Sequence, residues 1–263
     1  MNRKTTAENE ARLRWKKLLE KALEQPEEPV FIMTLRRALN SSARPVFARG
    51  FDKREYVIKG QQAGRQIIND QIIARLGCAM DAPVAEPQIV EIDRELLELD
   101  PTFDYLTPGK AHGVVFIPDC SDDREGIRFV VQQENRKRFA LLAVLFGWTF
   151  GGDLQFIYKM SRPNLVFSVD HGHFFPSGPN WTIATLNDAP NPVINPEIRS
   201  QCSLEKLEIE EALEALQGVT EEKIIQAVAS PPKEWELTIE ERIALVEYLI
   251  TRQQQLLLSK LSN

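Results

Sequence analysis

The sequence predicts an α+β fold, with short strands gathered in the first half of the chain and helices filling the second. Three observations predict it. Pro45-Val46-Phe47-Ala48-Arg49 and Tyr56-Val57-Ile58-Lys59 are strand-like runs joined by Gly50-Phe51-Asp52-Lys53-Arg54, a hairpin pattern. Ile67, Ile68, Ile72, Ile73 and Leu76 then fall on one helical stripe, and residues 88–92 return to a strand pattern. From Phe139 onward the apolar positions recur mostly at helical spacing.

Composition bounds what such a chain can be. Its 263 residues allow one large domain or two lobes with a real core. Hydrophobic residues at 43% and charged ones at 27% make an ordinary globular mixture. A net charge of −6 and a pI near 5.3 argue against a general nucleic-acid binder, which needs a basic face. Cys78, Cys120 and Cys202 lie far apart, so neither a disulfide framework nor a thiolate zinc site is expected. The first residues, MNRKTTAENEARLRWKK, contain no apolar secretory core, and the longest apolar run, 139–150, is too short to span a bilayer. The expectation is a cytoplasmic protein with no membrane partner.

Taken in order, residues 6–24 place Trp15, Leu18, Leu19 and Leu23 at helical spacing under a basic but Glu-interspersed surface, a helix that docks on the body. Pro26 and Pro29 end it. Thr34–Leu39 carries no clear period. Gly77 reads as the C-cap of the helix over residues 66–76, and residues 94–99 read as a short helix. Residues 113–117 (GVVFI) form a buried strand stopped by Pro118, and Ser121-Asp122-Asp123 caps a helix from Arg124. An apolar helix runs to Phe150, followed by Gly151-Gly152-Asp153 and, after a loop, a β-type run over 165–169. Prolines crowd residues 176–196. Three helices follow, begun by Ser203, by Thr220 and by a Thr238/Glu241 capping box.

The candidate chemistry clusters around this frame. Lys59 ends a strand, where its ammonium can hold phosphate oxygens, and Asp70 on the next helix can fix its rotamer. Asp153 and Asp170 offer carboxylate oxygens and Asn164 an amide oxygen, a sparse set that suits magnesium shared with water and phosphate. Asp153 can instead accept the proton of a nucleophilic hydroxyl. Ser41 and Ser42 precede the first hairpin strand and can turn backbone N–H groups to phosphates. His171 and His173, two of three histidines and two apart on a segment read as extended, point the same way and with Asp170 form the competing picture of a zinc or iron site, which needs His112 as its fourth ligand.

The segments YVIK (56–59), NDQIIARLG (69–77), WTFGGD (148–153), RPNLVF (162–167) and VDHGHFF (169–175) occur in an order that resembles the HipA-like kinase domain. Members of that family carry a strand ending in V-V-K, an N-E-L helix, W-x-x-N-x-D-R, N-P-N-L and I-D-H-G. The likeness covers residues 35–185. It implies a two-lobed protein-kinase-like fold: a small N-terminal lobe with an antiparallel sheet plus helix, and a larger, mostly helical C-terminal lobe. The corresponding division is a helical extension over 1–29, an N-lobe and connection over 30–112, and a C-lobe over 113–263. The resemblance implies ATP and Mg2+ as cofactors. By position, Lys59 would bind the α/β-phosphates, with Asp70 in the place of the family's helix Glu. Asp153 would be the catalytic acid–base residue, and Asn164 and Asp170 the metal ligands. The expected activity is phosphoryl transfer to a Ser/Thr or other hydroxyl, with nucleotide and a protein substrate as partners.

The chain departs from the pattern. Gly151 replaces the Asn two before the catalytic Asp, Leu154 replaces the Arg after it, and a kinase-like Asn five positions on falls on Tyr158. These departures support a second expectation: a pseudokinase, a degenerate kinase-fold module that binds a partner or nucleotide without transfer.

Overall fold

A computed structural model describes residues 6–121 and 126–259. Helix α1 (Thr6–Glu24) does dock on the body, burying Trp15 and Leu19. Arg12 pairs with Glu247 and Arg14 with Glu221, so its charged flank is tied down as well. Strands β1 (Val30–Ala38), β2 (Val46–Gly50) and β3 (Glu55–Lys59) follow. Next come α2 (Gln66–Ala79), β4 (Pro87–Ile92), α3 (Arg94–Glu98) and β5 (Gly109–Val115). The five strands pair in the order β1-β2-β3-β5-β4. All neighbours are antiparallel except β1 and β4, whose parallel pairing (Val30 with Val90, Phe31 with Glu91) closes the sheet into a small barrel. Ile32, Val46, Ala48, Tyr56, Ile58, Val90 and Phe103 fill it.

The larger core is helical. Helix α4 (Gln133–Thr149) runs through its centre, followed by the hairpin of β6 (Phe156–Tyr158) and β7 (Val166–Ser168). Two short helices, α5 (Ile183–Asn187) and α6 (Pro196–Gln201), organise the proline-rich stretch. Helices α7 (Lys206–Gln217), α8 (Glu221–Ala229) and α9 (Ile239–Ser259) finish the chain. The buried stripe of α2 joins this core rather than the barrel, which couples the two halves. No described helix is long and apolar enough to cross a membrane.

Several local expectations change. The ambiguous Thr34–Leu39 segment is mostly strand: β1 carries two register shifts against β2, and these break the alternation that would have marked it. Gly77 does not cap α2 but lies inside it, with Met80 at the C-cap; close packing explains the glycine, since a Cβ there would sit 2.8 Å from Val84 Cγ2. The strand expected at 113–117 begins at Gly109 and ends at Val115. The helix expected from Arg124 starts outside the described residues, 122–125 being among the undescribed, and residues 126–132 are loop before α4. Ser203 does not cap α7; Glu205 does, in a reciprocal box with Glu208. Thr220 caps α8 as expected, and Thr238 and Glu241 exchange their bonds at the start of α9 (Glu241 N to Thr238 Oγ1, 3.2 Å).

Candidate nucleotide site

Lys59 is the last residue of β3 and is only 7% exposed. A lysine so buried needs anionic partners. It has two: Nζ donates to Asp70 Oδ2 at 2.8 Å and to Asp170 Oδ1 at 2.6 Å. Burial alone would lower the Lys59 pKa, but attraction from Asp70 and Asp170 outweighs it and holds the ammonium above its ordinary range. Burial likewise pushes the Asp70 carboxyl up, and Lys59 followed by His112 bring it below its usual value. The shorter side chain at position 70, where the family pattern has Glu, therefore still reaches Lys59.

A polar clamp presents Asp170 to the lysine. Asp170 takes a left-handed conformation (φ 63°), and the chain turns immediately after it. Asn69, fully buried on α2, donates from Nδ2 to the carbonyls of Gly172 and Phe174, both at 2.9 Å, and accepts from Trp181 Nε1 at 2.9 Å. His171 turns inward, its Nε2 3.0 Å from Ser168 Oγ and its ring edge-on to Phe174. His173 faces solvent, so the two histidines do not converge, and the described residues hold no cluster of three metal-ligating side chains. Gly172 lets the loop approach α2: a Cβ there would lie 2.9 Å from Gln66 Cβ and 3.3 Å from Asp70 Oδ2. Gly172→Ala is expected to destabilise the fold by about 1–3 kcal/mol through this overpacking, seen as a lower melting temperature.

Lys59 and Asp170 stand on the wall of a cavity of about 540 Å3 between the barrel and the helical core. Val57, Val114 and Ile157 supply apolar surface, and Leu39, Asn40 and Pro45 approach from the β1–β2 turn. Ser41 and Ser42 belong to that turn without lining the cavity. The Ser41 N–H donates to Leu39 O at 3.0 Å, while its Oγ is buried without a partner among the described residues; Ser42 is exposed.

Asp153 and Asn164 are not on this wall. Asp153, partly buried, accepts from Gln155 Nε2 at 2.7 Å. Asn164, at φ 58°, donates from Nδ2 to the carbonyls of Lys159 (3.0 Å) and Met160 (3.3 Å), inside the β6–β7 turn. Asn69 and Trp181, which hold the loop after Asp170, and Gln71, which meets His112, escaped sequence reasoning. The available signal was three consecutive polar residues, Asn69-Asp70-Gln71, interrupting an isoleucine stripe: all three are buried, so α2 has no solvated face at this level.

The family model described as HipA-like kinase matches residues 31–262. No curated protein matches the chain. Among solved structures, the Helicobacter pylori proinflammatory kinase CtkA superposes with a TM-score of 0.55 at 9% identity, covering 89% of this chain and 97% of that one. A Golgi casein kinase gives 0.49 at 10% identity, over 95% and 77% of the two chains. HipA from Shewanella oneidensis MR-1, solved with HipB and operator DNA, gives 0.43 at 12%, over 94% and 73%. The likeness to CtkA shows the two-lobed kinase fold and nothing about chemistry. With the family match spanning nearly the whole chain, the protein belongs to the HipA-like kinase family.

Proposed function

We propose that the chain binds ATP with magnesium in the Lys59 cavity and transfers the terminal phosphoryl group to a hydroxyl, on a protein Ser/Thr or a smaller substrate. The observation that carries this reading is Lys59, buried between Asp70 and Asp170 at an apolar-walled cavity in a kinase-family chain. The site fits the implied groups. Its ammonium matches phosphate oxygens, and the Asp170 carboxylate is a hard oxygen donor. In this reading Lys59 positions the phosphates, Asp70 holds Lys59 in place, and Asp170, with Asn164 from the resemblance, holds the cation. Magnesium, when bound, neutralises charge on the phosphate oxygens. Asp153 takes the proton of the attacking hydroxyl, and Gln155 fixes one of its oxygens.

Specific observations favour the second reading, a nucleotide- or partner-binding module without transfer. Phe174 fills the space beside Gly151, where the family pattern has Asn: a Cβ at 151 would lie 2.5 Å from the ring. Tyr158 is committed to Gly126 O (2.8 Å) and Arg128 N (2.9 Å), and the Asn164 amide to its own turn.

One experiment separates the two. Under the first reading, Mg-ATP at about 100 times its dissociation constant raises stability by about 2.7 kcal/mol, and labelled ATP marks a lysate substrate or the protein itself. Asp153→Asn should then reduce transfer by about 10²–10⁴-fold with nucleotide binding kept. A thermal shift without transfer, unchanged in Asp153→Asn, selects the second reading; no shift at all removes nucleotide binding.

A further inference from the structure

The cavity does not end at Lys59. Its lining also includes Asp70, Ala74, Ala85, His112 and Ser168. His112 lies directly opposite Lys59 in the β3–β5 pairing, so the two side chains leave the sheet on the same face. The imidazole is only 4% exposed. Its Nδ1 is 2.7 Å from the side-chain amide of Gln71. That amide is assigned with nitrogen toward the ring, because this orientation alone lets its oxygen accept from Arg75 Nε (2.8 Å) and Nη2 (3.1 Å). Arg75 is held in turn by Glu27, whose other oxygen accepts from Gln88 Nε2 at 2.8 Å. The row Glu27–Arg75–Gln71 thus makes Nδ1 an acceptor, and the neutral ring carries its proton on Nε2. That Nε2 makes no hydrogen bond to any described residue. His112 lines the cavity, so an Nε2–H donor with its tautomer fixed and no hydrogen bond to a described residue is placed to serve a ligand there.

We propose that the part of the cavity beside His112 is a ligand subsite in which His112 Nε2–H donates to an acceptor atom of the nucleotide held at Lys59. The proposal rests on the nucleotide-binding reading and goes beyond it: His112 becomes a ligand-contacting residue that favours nucleotides able to place a ring nitrogen or an oxygen there. Gln71 and Arg75 are positioning residues that act through it.

Full-length protein labelled with 15N-histidine tests this directly, with the His112→Gln spectrum assigning the signal. Free protein should show the Nε2–H tautomer at His112. Mg-ADP should shift that Nε2 resonance and slow its proton exchange. Adenosine giving the same change places the acceptor on the base or ribose; a change with Mg-ADP alone places it on the phosphates. Calorimetry runs beside it: His112→Leu should weaken the responding ligand about tenfold, while His112→Gln, which keeps an N–H donor, stays near wild type. Melting temperatures show that each variant is folded. Mg-ADP binding to wild type with the His112 signal unmoved, or His112→Leu binding as tightly as wild type, overturns the subsite and leaves the nucleotide reading intact. If wild type takes up no nucleotide, that reading fails and the subsite with it.

Discussion

Lys59→Met is expected to lower the melting temperature by roughly 6–20 °C, from the 3–5 kcal/mol typical of a buried ion pair stripped of one partner. Lys59 is the common partner of Asp70 and Asp170, whose side chains are 4% and 15% exposed. Removing it leaves two carboxylates facing each other with a cation gone, and at least one must take up a proton or reach water. Asp70→Asn should cost less, because Lys59 keeps Asp170. The pH sign differs for the two ends of the pair. The raised Lys59 value gives stability that is complete below the ordinary lysine pKa and fades as pH rises through the folded value. The lowered Asp70 value gives stability present above the ordinary carboxyl pKa and lost as pH falls through the folded one. Chemical denaturation of both variants at pH 7 checks the ranking. A Lys59→Met protein as stable as wild type would mean that the observed contacts add nothing.

How much of this was legible in the sequence differs from residue to residue. Lys59 was legible because it closes a strand with a clear period, and Asp70 because it sits on a helix with a strong stripe. The family order then linked them to Asp170, 111 positions from Lys59. Nothing in any period encodes the closure of β1 on β4, a parallel pairing of two residue pairs between elements some sixty positions apart. The histidines failed for a definite reason. The same-side rule needs extended backbone, but the chain turns at Gly172 and His173, and His171 is buried while His173 is exposed. Asp153 precedes a short hairpin and Asn164 lies in its turn, and the course of that hairpin depends on the left-handed cap at Phe150 and on Phe174 filling the space beside Gly151. Those are tertiary packing facts, so the sequence could nominate both residues but not say what they face. His112 was named as one of three histidines; its role depends on Gln71 and Arg75, which only the folded α2 brings to β5.

Acid should unfold this protein early, and the two buried histidines are the reason. Burial pushes His112 down to about 4 against the attraction of Asp70, and pushes His171 down to about 4 in the same way. Lys59 holds both down further and Arg75 adds to this at His112, while Asp170 and Asp153 oppose it at His171. In the unfolded chain both rings regain a pKa near 6.5, so between about pH 6.5 and 4 the unfolded state binds more protons. Stability is therefore complete above that window and lost as pH falls through it, by about 2 kcal/mol per histidine between pH 7 and 5. Against a typical total of about 5–15 kcal/mol, losing both is a large fraction. Urea titrations at pH 7, 6 and 5 should show stability falling with a slope approaching two protons near pH 5. His171→Gln removes one of the two titrations and should halve that slope, even though losing the Ser168 contact lowers stability at every pH. A wild-type slope below half a proton in this range would show that the rings charge without cost, and that the chamber around Lys59 is wetter than its burial implies.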